Sequence, residues 1–94
     1  VKIKVGPLLY DVVWVEGLKN DDGESLWGQA HHENGQINLS TGKSDSQTFV
    51  TLWHEVLHCF ENAYGITLDE EMVMQLCGPI ALAIMDNPAL RGQP

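Results

Sequence analysis

The chain predicts an α+β fold in which a small antiparallel sheet of three to four strands packs on two helices. Three observations predict it. β-Branched and aromatic residues alternate with polar ones in the N-terminal half, the period of a half-buried strand. In the C-terminal half, apolar residues recur at spacings of three and four, the period of a helix face. The 94 residues contain no repeat, low-complexity tract or linker, so residues 1–94 form a single domain.

Lys2-Ile3-Lys4-Val5 alternates and is broken by Gly6-Pro7, after which Leu9 to Val15 reads as a second strand. Asn20-Asp21-Asp22-Gly23 is a loop. Trp27 to His32 and Gln36 to Leu39 flank Glu33-Asn34-Gly35, and Asn-Gly is the strongest short hairpin signal. Ser44-Asp45-Ser46-Gln47 has the capping-box pattern and opens a helix that no Gly or Pro interrupts through Tyr64; Gly65 stops it. A second helix starts around Thr67 to Glu71 and runs toward Met85, with Val73, Leu76, Cys77, Ile80, Ala81 and Ile84 as its apolar face. Asn87 to Pro94 is expected to fray. Trp14, Trp27, Trp53 and Phe60 are assigned to the core.

The chemistry lies in His54-Glu55-Val56-Leu57-His58. Residues four apart on a helix share a face, so both imidazoles can reach one Zn²⁺. Glu55 then stands beside the metal, where a general base for a zinc-held water belongs. A hydrolytic zinc needs a third protein ligand and an open fourth position. Projecting the apolar face of the second helix back one turn reaches Asp69 and Glu70, while Glu71 points further around; of these, Glu70 is the carboxylate best directed at His54 and His58. Glu70 has a competing role, because Thr67-x-x-Glu70 is also a capping box, and acidic residues in a first turn complement the helix dipole. Glu71 is the second candidate. Glu61, on the histidine helix itself, fits better as a partner to a ligand histidine than as a ligand.

His54-Glu55-x-x-His58 followed by a carboxylate on the next helix resembles the gluzincin type of zinc metallopeptidase. The nearest likeness is to very small phage- and prophage-type peptidases and, distantly, to the ImmA/IrrE-like group. The resemblance runs through the Leu52–His58 helix, the Tyr64-Gly65-Ile66 turn and Leu68-Asp69-Glu70-Glu71-x-Val73. It implies a zincin-like minimal core, zinc as cofactor and a peptide or protein substrate. It also implies an edge strand above the metal helix that holds the substrate by β-augmentation, for which Trp27–His32 is the candidate. Such families place a supporting polar residue four positions after the glutamate ligand. Here that position is Met74, a departure that leaves Gln75, Glu61 or a backbone carbonyl to support the histidines.

Composition bounds the alternatives. A net charge of −8 with five scattered basic residues argues against a nucleic-acid surface. No apolar run reaches membrane-span length and no leader-like segment opens the chain, so a reducing cytoplasm is the simplest compartment. Cys59 and Cys77 read as small buried hydrophobes. His31 and His32 are adjacent in a strand, so at most one can face the helices, as an oxyanion donor or accessory ligand. Tyr10 and Tyr64 are the other candidates for polarising a carbonyl. The residues thus predict metal-assisted peptide hydrolysis; the alternative is a zinc-stabilised binding or regulatory module, its fourth coordination position closed by His31 or His32. Oligomeric state is not legible.

Overall fold

A computed structural model describes residues 1–92. Four strands, β1 (Lys2–Val5), β2 (Leu8–Val15), β3 (Gly28–His31) and β4 (Gln36–Ser40), precede two helices, α1 (Asp45–Tyr64) and α2 (Glu70–Asp86). The sheet order is β1-β2-β4-β3. This is the expected α+β class, with one difference in the sheet. The β1–β2 and β3–β4 pairs are antiparallel hairpins, but β4 lies parallel to β2, with Val12 opposite Ile37 and Trp14 opposite Leu39. The second hairpin docks through its later strand, which leaves β3 at one edge of the sheet, opposite β1. Gly35 (φ 61°) makes the hairpin turn possible, since a Cβ there would lie 2.7 Å from the Leu9 carbonyl oxygen. That closeness matters because the Gly35 carbonyl accepts the Asp11 N–H at 2.8 Å, joining the turn to β2.

α1 lies across one face of the sheet, and α2 packs against α1 rather than on the strands. Tyr10, Val12, Ile37 and Leu39 point from the strands onto Val56 and Cys59 of α1, with Leu52 and Ala63 at the margin. A second stripe of α1, Val50, Trp53, Leu57 and Phe60, meets Val73, Cys77 and Ile80 of α2. Each fully buried aliphatic chain contributes about 1.5–3 kcal/mol. The two stripes together therefore fix the rotation of α1. Ser44 and Gln47 complete the capping box and Gly65 takes the left-handed stop.

α2 differs from expectation at both ends. Its N-cap is Asp69, whose side chain accepts the Met72 N–H at 2.7 Å, so Thr67 does not cap and Glu70 becomes the first helical residue. The helix continues through Pro79, whose missing N–H leaves the Gln75 carbonyl without its helical donor; both residues are exposed to water. After α2 the chain does not fray at Asn87. Pro88–Arg91 forms a short 3-10 helix, and Arg91 Nη1 donates to the carbonyls of Ile84 and Met85 at 2.8 and 2.9 Å. Residues 93 and 94 lie outside the described residues. Trp14 and Trp27 are each 49 % exposed rather than core, and Leu76 is 41 % exposed, α2 being backed by α1 on one side only. Among the described residues no helix is long and apolar enough to cross a membrane.

Candidate metal centre

His54 and His58 border the α1 stripe that faces α2, and Glu70 comes to them from the start of that helix. Glu70 Oε1 lies 3.1 Å from His54 Nε2, and its Oε2 lies 3.1 Å from His58 Nε2. One ligand atom from each of the three residues falls within 4.8 Å of the others. A tetrahedral zinc with bonds of about 2.0–2.2 Å spaces its ligand atoms by roughly 3.3–3.5 Å, so the set fits with small adjustments. The donor chemistry points the same way. His58 meets a carboxylate at each nitrogen: Glu61 Oε1 at 2.8 Å from Nδ1, and Glu70 at Nε2. A neutral imidazole has one N–H and can serve only one of them; a cation between Nε2 and Glu70 satisfies the other.

The shift of cap from Thr67 to Asp69 is what frees Glu70. At the first helical position its carboxylate reaches back across the turn to α1 instead of closing on its own backbone. It is 62 % exposed, so the cluster opens to solvent on that side. Glu71 turns away and accepts from Gln75 Nε2 at 3.4 Å. Glu61 also takes the Leu68 N–H, at 3.2 Å, with its second oxygen. These bonds from Leu68 and His58 hold its carboxyl below the usual carboxylate range. Met74, four positions after Glu70, is exposed.

Glu55 is set about 100° around the helix from His54, as one residue of rotation requires. That turn takes it under the free edge of the sheet, where it is buried. Burial pushes its carboxyl above the ordinary 4.5; His58 nearby opposes this, Glu70 adds to it, and the Ala30 N–H opposes it. Burial also lowers the His54 imidazole below 6.5, against the pull of Glu70.

Edge strand β3 crosses directly above this helix. A Cβ on Gly28 would stand 2.6 Å from Thr51 Cγ2 and 3.4 Å from Glu55 Cγ. The Ser40 N–H bonds the Trp27 carbonyl, so Gln29 and His31 direct their backbone groups toward β4 by alternation. Gly28 and Ala30 direct theirs to the open edge. Beside the strand, a cleft of about 520 Å³ runs between α1 and α2 from His54 and Glu55 past Val50, Thr51, Met74 and Cys77 to Leu82, with Trp27 at its rim. Lys43 Nζ stands 4.3 Å from the centre of the Trp27 ring.

The four residues weighed as carbonyl-polarising candidates have other partners in this structure. His31 Nε2 pairs with Gln29 at 3.0 Å, away from the helices. His32 Nδ1 bonds the hydroxyl of fully buried Tyr10 at 2.9 Å, and Asn62 donates to the same hydroxyl. Tyr64 lies against the Gly6 turn and Phe60. Cys59 and Cys77 are free thiols, and burial raises Cys59 to about 11. Gly28, the Ala30 N–H and the cleft residues escaped sequence reasoning; only the glycine in an otherwise strand-like run could have marked the close approach. Comparison with protein-family models, curated proteins and solved structures returned no match.

Proposed function

We propose that this protein is a zinc-dependent peptidase of the HExxH type, with His54, His58 and Glu70 as metal ligands and Glu55 as general base. The observation that carries the reading is the convergence of a three-residue ligand set, a buried carboxylate and an open strand edge on one stretch of α1. A zinc held there supplies Lewis-acid polarisation of a carbonyl and makes a water acidic near neutral pH.

The chain's own residues supply the rest. Glu55, raised by burial, takes the proton of the attacking water and passes it to the leaving amine. The Gly28 backbone groups and the Ala30 carbonyl pair with an extended substrate, adding it to the sheet, while the Ala30 N–H serves Glu55. The apolar cleft beside His54 and Glu55 receives a substrate side chain. A closed structural site is less well supported, since the ring of His31 pairs with Gln29, that of His32 bonds Tyr10, and neither belongs to the ligand set.

The test is zinc stoichiometry by elemental analysis on tag-free protein, followed by a peptide-library digest read by mass spectrometry for wild type and Glu55→Gln. About one zinc per chain, with cleavage lost by roughly 10²–10⁴-fold in Glu55→Gln at unchanged zinc content, supports the reading. Zinc without zinc-dependent cleavage moves the protein to the binding-module class. A folded chain that refuses zinc removes both.

A further inference from the structure

The two halves of the candidate metal centre sit on different helices, yet one carboxylate touches both His58 and the turn that leads into Glu70. Glu61 Oε1 accepts from His58 Nδ1 at 2.8 Å, and Glu61 Oε2 accepts from the Leu68 N–H at 3.2 Å. Leu68 immediately precedes Asp69, the N-cap of α2, and Glu70, the first residue of that helix. We infer that Glu61 is a positioning residue that couples the histidine half of the metal centre to the glutamate half. The inference rests on the zinc reading above.

The chemistry follows from what each oxygen accepts. Taking the Nδ1 proton fixes His58 in the tautomer whose Nε2 lone pair is free for a metal. Taking the Leu68 N–H fixes the height of the turn from which Glu70 reaches back to that same Nε2. An ionised carboxylate is needed for both bonds, because both partners are donors. A glutamine at 61 has one accepting oxygen and one donating amide group, so it can serve His58 or Leu68 but not both. Without any side chain at 61, the carboxylate left to His58 among the described residues is Glu70, 3.1 Å from Nε2. The imidazole proton then moves to Nε2, the atom the metal requires bare.

The experiment uses the full chain and two readouts that do not depend on turnover. Nitrogen-15 NMR of the metal-free protein at pH 8 reports the His58 tautomer. Zinc affinity is measured by competition with a chromophoric chelator, on wild type, Glu61→Gln and Glu61→Ala. Wild type should show Nδ1–H and Glu61→Ala should show Nε2–H, with zinc bound about 10–100-fold more weakly. Glu61→Gln should lie between the two at a metal-free melting temperature near wild type, and it carries the test if the alanine variant does not fold. Coupling makes a further demand: the loss caused by Glu61→Gln should shrink when Glu70→Ala is already present. An unchanged tautomer, an unchanged zinc affinity, or strictly additive losses in that cycle would overturn the inference while leaving the zinc site standing. A wild-type chain without zinc affinity would overturn the inference together with the zinc reading.

Discussion

Replacing Gly28 with Ala tests how closely the edge strand must lie on the histidine helix. The added Cβ would sit 2.6 Å from Thr51 Cγ2, where apolar carbons normally rest at about 3.5–4.0 Å. Thr51 cannot simply turn aside, because its hydroxyl donates to the Gln47 carbonyl at 2.8 Å. The overlap of roughly 1 Å must therefore lift β3 from α1, at about 1–3 kcal/mol for overpacking. Alanine recovers about 0.5–1 kcal/mol over glycine in a strand, so the net loss is roughly 0–2.5 kcal/mol. Thr51→Ser removes only the offending methyl and keeps the hydroxyl. In that background Gly28→Ala should be neutral or stabilising, a change of sign that a double-mutant cycle reads as at least about 1 kcal/mol of coupling. Urea unfolding of the four proteins measures it. Equal losses from Gly28→Ala in both backgrounds would refute the close packing of β3 on α1, and with it the placement of Glu55 under that edge.

Two other outcomes are expected. Glu70→Ala should weaken zinc binding by orders of magnitude while Glu71→Ala leaves it near wild type, measured by chelator competition; the reverse order would transfer the ligand role to Glu71. The metal-free protein should lose stability as pH falls from 7 toward 5, in part through His54. Its pKa is depressed below 6.5 by burial, so the stability from the neutral ring is present above the unfolded value and is lost as pH falls through the folded one. Glu55, with a raised pKa, contributes with the opposite sign, so the check is wild type against His54→Gln by urea unfolding at each pH. A pH slope unchanged by that substitution would contradict the burial of His54.

Local signals carried much of the fold. Ser44, Gln47 and Gly65 make the α1 boundaries with their own side chains and backbone, and Asn34-Gly35 makes its hairpin, so residue type sufficed. What failed was decided at a distance. Nothing near Gln36 says that β4 will lie parallel to β2, because that pairing is set by which hairpin strand can bury Ile37 and Leu39 against α1. Thr67 and Asp69 are both able caps, and local preference alone does not choose between them. Capping at Asp69 accompanies the burial of Val73 and Cys77 against α1. The HExxH spacing was legible because one helix carries it. Glu70 was legible as one of two carboxylates, and only the cap position explains why it, not Glu71, meets the histidines. The cleft was not legible, since its walls come from three elements and Trp27 looked like any core tryptophan.

The turn between His58 and Glu70 has a meaning in polymer terms as well. An ion gripping both residues closes a loop of about 13 residues, and by chain-entropy arithmetic such a cross-link removes roughly 3 kcal/mol of freedom from the unfolded chain. That is a disulfide's worth of constraint in a chain whose cysteines, Cys59 and Cys77, remain thiols. Unlike a disulfide, this cross-link would answer to the supply of free zinc rather than to the redox state of its surroundings. The lifetime of the folded chain would then rise and fall with the supply of the ion that joins its two helices.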